Sequence, residues 1–132
     1  MSFAELWPPA ASPPTPLGRH RRLSSLAGVH VSPICLGAMS VGDKWAHLGF
    51  GAMDKASSFK LLDAFYDAGG NFIDTANNYQ DGSSEEFIGE WMEKRGIRDQ
   101  IAIATKVSVG FGSRVIKKQL TVGVYGVVYD QL

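Results

Sequence analysis

The sequence predicts an α/β fold with parallel strands, and three observations carry that expectation. Short runs at Ile34–Met39, Asn71–Asp74 and Gln100–Lys106 alternate with two longer stretches whose apolar residues recur at helical spacing. The first and last of these runs show no polar alternation, as expected of strands buried on both faces of a parallel sheet. The resulting order, β–α–β–α–β with helices of ordinary length, implies parallel neighbours joined by right-handed crossovers.

Composition sets the class. The chain has 132 residues, 45% hydrophobic and 20% charged, with 13 Lys+Arg against 13 Asp+Glu. That length suits one soluble domain able to bury about two-thirds of its unfolded surface. A net charge of zero argues against a nucleic-acid binder, which needs a basic stripe. No uncharged apolar run reaches the roughly 18 residues of a membrane span. The single cysteine, Cys35, excludes an internal disulfide framework and fits the cytoplasm. The N-terminus lacks the basic start and apolar core of a secretory signal. No metal site is expected.

Five of the six prolines lie between Pro8 and Pro16. Residues 1–17 therefore read as a disordered arm with little to bury, a proline-recognition ligand being the alternative. Arg19-His20-Arg21-Arg22 reads as a solvated lead-in to a strand. Between Leu23 and Pro33, two short apolar stretches around Ala27-Gly28 predict a β-hairpin turning near Gly28. In the strand that follows, Cys35 is expected to pack as a small hydrophobe, since no activating group stands beside it in sequence.

The glycine-rich stretch from Val41 to Met53 predicts a long loop carrying Trp45 and His47, the latter read as a surface residue. Asp54 is placed to cap a helix whose buried face carries Phe59, Leu62, Phe65 and Tyr66. Gly69-Gly70 stops that helix. After the strand at Asn71–Asp74 comes a polar loop from Thr75 to Gly82. Ser83-Ser84-Glu85-Glu86 reads as a capping box pairing Ser83 with Glu86, and Phe87, Ile88, Trp91 and Met92 form the buried stripe of a second helix ending at Gly96.

The carboxyl ends of parallel strands line the active face of such folds. Two of these ends carry ionisable groups, Asp74 and Lys106. On neighbouring strands they lie about 5 Å apart, close enough to pair, with a buried ion pair as the bland alternative. Tyr79, five residues after Asp74, can fold back over them. A free phenol titrates near pH ~10 and donates protons poorly at neutrality. A cation beside it stabilises the phenolate, and a carboxylate holds that cation charged. The trio suits a general acid that protonates a carbonyl oxygen.

The stretch from Gly70 to Tyr79, with Gly82 and Ser84-Glu85, resembles the aldo-keto reductases. So do Ile103-Ala104-Thr105-Lys106 and the run Ile34 to Met39. The resemblance is nearest to the fungal aryl-alcohol dehydrogenase branch, which includes norsolorinic-acid-reductase-like enzymes, and spans about Leu17 to Lys106. It implies a (β/α)8 barrel, NADP(H), and reduction of aldehydes or ketones, with aryl-alcohol or polyketide-type substrates. By matching position, Tyr79 is implied as proton donor, Lys106 and Asp74 as its tuning partners, and Gly37, Ala38 and Met39 with Asp74 as part of the cofactor floor. Trp45 and Phe50 are candidates for an aromatic wall.

A complete barrel needs roughly 200 residues or more, so the expectation is the N-terminal portion of one: about three βα units plus the hairpin, over residues 18–107. The family's fourth catalytic residue, a histidine after the fourth strand, has no counterpart among His20, His30 and His47. The later loops that hold the adenosine 2′-phosphate are also unmatched. Neither Gly110-Phe111-Gly112 nor Gly49-Phe50-Gly51 completes a dinucleotide fingerprint, because Val115 and Asp54 stand where the third small residue belongs. Residues 108–132 carry no recognised motif and read as a divergent tail, from a truncated product or a shifted frame. Its stretch Leu120–Tyr129 favours an added strand. Little or no activity is expected of the chain as it stands. The alternative is a non-catalytic interaction protein or unstable fragment, self-associating through open sheet edges.

Overall fold

The structure, a computed structural model, describes residues 11–107 together with Leu6, Pro8 and the pair Val127–Val128. Most of the arm expected over 1–17 and of the tail expected over 108–132 lies outside the described residues. The end of the arm forms a 3-10 turn at Pro16–Gly18.

Two antiparallel strands, β1 (Arg21–Ser24) and β2 (Ala27–Val31), form the hairpin. The turn falls at Ser25-Leu26 and not near Gly28, which lies inside β2. The reason is local: the Ser24 hydroxyl accepts the Leu26 amide at 3.1 Å, closing the turn without a glycine, and the register shifts between Arg22 and Ser24. Asn71 stitches this hairpin to the main sheet. Its amide nitrogen donates to His30 O at 3.0 Å and its Oδ1 accepts from Ser32 N at 2.7 Å.

The main sheet runs β3 (Leu36–Gly37), β4 (Phe72–Asp74), β5 (Ala102–Thr105), β6 (Val127–Val128), all parallel and in that order. Val127–Val128, within the stretch expected to add a strand, does so against β5. The first strand departs from expectation. Only two residues of Ile34–Met39 are extended in the ladder, and Ile34, Cys35 and Met39 are exposed. β3 is an edge strand, and the described residues pack only one of its faces. An apolar run without alternation therefore did not mean burial on both sides.

Side chains alternate across the ladder. Leu36, Ala38, Ile73, Ile101 and Ile103 pack against the helical layer. Gly37, paired with Asp74, and Ala104 lie on the other face. Helix α1 (Lys55–Asp67) starts at Asp54, whose carboxylate accepts the Ser57 amide at 2.7 Å. It stops at Gly69, where φ is +96° and an added Cβ would sit 2.6 Å from the Gly18 Cα. Strain and space both demand glycine there. Thr15 donates to Ala68 O and His20 bonds Gly69 O, so the chain before the hairpin docks on this helix end.

Helix α2 (Ser83–Arg95) buries Phe87, Ile88, Trp91 and Met92 as its spacing predicts, and Gly96 ends it in the left-handed conformation. The capping box is absent. Gly82 is the N-cap and no side chain caps the helix. Ser83 and Ser84 are buried, and carbonyls elsewhere recruit their hydroxyls: Ser83 donates to Gln80 O and Ser84 to Ala38 O, both at 2.8 Å.

The helices are joined by Trp91 Nε1, which donates to Asp63 Oδ1 at 2.9 Å, and by Arg95, which pairs with Asp63 and Asp67. The indole hydrogen bond, then that from Arg95, holds the Asp63 carboxyl below its ordinary range. A depressed acid contributes stability that is present above its unfolded pKa of about 3.9 and is lost as pH falls through the folded value. Asp63→Asn should therefore flatten the acid side of the thermal-midpoint profile below pH ~4. An acid slope identical to that of the unaltered chain would refute this linkage.

Candidate functional site

The register places Asp74, the last residue of β4, opposite Ala104, and Lys106 follows directly after β5. Lys106 Nζ lies 2.7 and 2.9 Å from the two oxygens of Asp74 and 2.7 Å from Thr75 O, so all three of its protons are engaged. The same Nζ sits 5.1 Å from the centroid of the Tyr79 ring. Tyr79 opens the 3-10 turn Tyr79–Gly82 after β4. That loop is tied to the end of β5 by Asn77 N donating to Lys106 O at 3.1 Å.

The three expected residues thus meet at the carboxyl ends of β4 and β5. The Lys106 and Asp74 side chains are 44% and 41% exposed, so the pair is open to solvent and not the buried ion pair of the alternative. An exposed pair contributes about 0–1 kcal/mol to stability. Partial burial, the largest single influence, pulls the ammonium down. The hydrogen bond and charge of Asp74, with smaller contributions from Tyr79, outweigh it and leave Lys106 above its ordinary value. Lys106 is a firmly charged donor.

Of the expected floor, Gly37 and Met39 are exposed while Ala38 is fully buried against the helices. Ala38 meets the site through its backbone: its N–H donates to Asp74 O and its carbonyl accepts from Ser84. Ser84 Oγ also lies 3.1 Å from Thr75 Oγ1, so a buried hydroxyl pair ties α2 to the ends of β3 and β4. Cys35 is exposed, which corrects its expected packing as a small hydrophobe. Desolvation of its sulfur, then the charge of Asp74, pushes the thiol up, so it stays protonated at neutrality.

His20 and His30 serve the hairpin end of the fold, and His47 is exposed in the loop after β3. Trp45 in that loop packs edge-on against both Phe50 (6.1 Å) and Tyr79 (6.4 Å). The residue sequence reasoning missed is Gln80, fully buried and bonded to the loop after β3. Its one sequence signal was a long polar side chain beside Tyr79. Among the described residues no helix is long and apolar enough to cross a membrane, and no three His, Cys, Asp or Glu side chains group to hold a metal.

The sequence pattern of the aldo/keto reductase family matches residues 33–123. The match continues past Val107, beyond the span of the resemblance read from the sequence. The chain is 70% identical over 104 residues to the NADP(+) aryl-alcohol dehydrogenase of Phanerodontia chrysosporium, covering 79% of this chain and 27% of that protein. It is 55% identical over 113 residues to the norsolorinic acid reductase of Aspergillus flavus, covering 83% of this chain and 29% of the relative. Among solved structures, the aldo-keto reductase AKR11C1 of Bacillus halodurans in its holo form superposes with a TM-score of 0.56 at 30% identity. That superposition covers 72% of this chain and 28% of the other. The chain thus spans under a third of the length of these relatives and carries the N-terminal part of a barrel whose strand ends bear Asp74 and Lys106 beside Tyr79. It belongs to the aldo/keto reductase family.

Proposed function

We propose that the chain supplies the proton-donating part of an NADPH-dependent reduction of aldehydes or ketones. The observation that carries this is the convergence of Tyr79, Lys106 and Asp74 at adjoining strand ends. Tyr79 gives its phenolic proton to the carbonyl oxygen as that oxygen gains charge. Lys106 faces the ring and stabilises the phenolate left behind, while Asp74 and Thr75 O hold its ammonium charged and oriented. When bound, the nicotinamide cofactor supplies the hydride to the carbonyl carbon.

The residues present fit the nicotinamide end. Among the described residues, a Cβ at Gly37 would meet nothing within 4 Å, so on their side the backbone beside Asp74 offers space for a flat ring. The names of the two fungal relatives support NADP and an aryl or polyketide-type carbonyl. In barrels of this kind, a phosphate site is frequently built from loops after strands seven and eight, and no such loops are among the described residues. We therefore expect the 132-residue chain to bind NADPH weakly and to turn over little by itself. Fluorescence titration should show no saturation at micromolar NADPH. Micromolar binding would overturn that expectation. The acid chemistry is tested in a chimera joining residues 1–107 to the remaining βα units of the Phanerodontia relative. It should reduce an aryl aldehyde with NADPH, and a folded but inactive chimera would refute the proposed role.

A further inference from the structure

The loop between β3 and α1, residues 38–54, has almost no secondary structure of its own: one 3-10 turn at Ala46–Leu48 and a single bridge between Gly42 and Met53. What holds it is a side chain from another loop. Gln80 is fully buried, and its carboxamide is satisfied by three loop groups on Met39, Trp45 and Phe50. Oε1 accepts from Trp45 N at 2.9 Å, and Nε2 donates to Met39 O at 2.9 Å and to Phe50 O at 3.3 Å. The orientation of the amide follows from chemistry, because a flipped group would set NH2 against the Trp45 N–H.

Two further features fit this contact. Gly42 lies so close that a Cβ there would be 2.6 Å from the Gln80 Cβ, so the loop backbone is wrapped against the glutamine stem. Gln80 and Asp81 both adopt left-handed backbone conformations, φ 53° and 54°, which side-chain-bearing residues keep only when their surroundings hold them. Asp81 Oδ1 takes the Trp45 indole N–H at 3.0 Å. Trp45 is thereby fixed at its backbone by Gln80 and at its ring by Asp81, and that ring packs against Tyr79.

We infer that Gln80 is a positioning residue: its buried amide locks the loop after β3 in place, and through Trp45 it sets the position of the Tyr79 ring. The amide contributes no chemistry to the reaction. It decides whether the aromatic side of the site exists before substrate arrives, which removes an ordering cost from binding. The functional meaning rests on Tyr79 as proton donor. Failure of that role would show as undiminished turnover after loss of the phenol, whereas the clamp is read spectroscopically in the chain itself.

The test compares Gln80→Met, which keeps the length and loses all three hydrogen bonds, with Gln80→Glu, which keeps only the acceptor for Trp45 N. In the full chain labelled with 15N-tryptophan and 13Cζ-tyrosine, Gln80→Met should speed exchange of the Trp45 indole proton at least tenfold. It should also displace the Tyr79 resonance and accelerate tryptic cleavage after Lys44. Trp91 and Tyr66, in the helical layer, should not move. Gln80→Glu sets a carboxylate oxygen against the Met39 and Phe50 carbonyls and should move the same two signals at least as far. Unchanged Trp45 and Tyr79 signals would overturn the inference, as would Trp91 and Tyr66 shifting alongside them or loss of folding in both variants, since Gln80 would then serve the fold as a whole. In the unaltered chain the Trp45 backbone amide should be protected from exchange. A free-peptide rate there would also overturn it.

Discussion

Tyr79→Phe in the active chimera should lower kcat for aldehyde reduction by about 10²–10⁴-fold, the range that a positioned general acid contributes. KM should change little, because the phenyl ring still packs against Trp45. Lys106→Met should act in the same direction and also leave Asp74 and Thr75 O without their shared donor. The pH dependence has a definite sign. The Lys106 pKa is raised, so the ammonium persists through the ordinary lysine range near ~10.4 and its contribution is lost only as pH rises through the higher folded value. Rates should accordingly show no loss attributable to Lys106 at neutral or mildly alkaline pH. Retention of more than about a tenth of kcat by Tyr79→Phe, an effect below roughly 1.4 kcal/mol, would end the assignment of this phenol as the acid.

Trp91→Ala should cost about 3–5 kcal/mol of unfolding free energy, as expected for removing a large aromatic from a packed core. Trp91 is 1% exposed, packs edge-on against Tyr66 at 6.1 Å, and is the only indole bonded to Asp63 among the described residues. Truncation empties that space and removes the neutral donor from Asp63, leaving Arg95 to hold it. Small domains have about 5–15 kcal/mol in all, so this change takes a large share. Urea unfolding followed by circular dichroism measures it without relying on the lost fluorophore. Glu93→Ala, on the exposed side of the same helix, is the matched control and should stay within about 0.5 kcal/mol. A cost below about 1 kcal/mol for Trp91→Ala would mean that α2 does not pack as described.

Features that depend on near neighbours in the chain are legible in the sequence. Asp54 caps Ser57 three residues on, Gly69 and Gly96 end helices where left-handed backbone is needed, and the stripe from Phe87 to Met92 lies along one helical face. Asp74 and Lys106 were legible as a pair because one crossover joins their strands, so parallel pairing alone brings the ends together. Features whose partners lie far along the chain were not. Ser83 and Ser84 look like the start of a capping box, yet the Ser84 hydroxyl goes to Ala38, 46 residues earlier. Gln80 looks like loop polarity, yet its amide binds groups 30 to 41 residues away. The run Ile34–Met39 looks buried on both faces, but β3 lies at an edge and the described residues pack only one of its faces.

By itself, then, the sequence determined the alternation of strands and helices, the helical faces that turn inward, the family, and the identity of the three polar residues at the strand ends. These follow from periodicity, from glycine and capping chemistry, and from short motifs, all of which act over a few residues. Only the tertiary structure decided that the ion pair stands half-open to solvent, that Cys35 is exposed, and that a buried glutamine holds the loop beside Tyr79. Burial and hydrogen-bond partnership depend on which distant segments come together, and no local pattern encodes that.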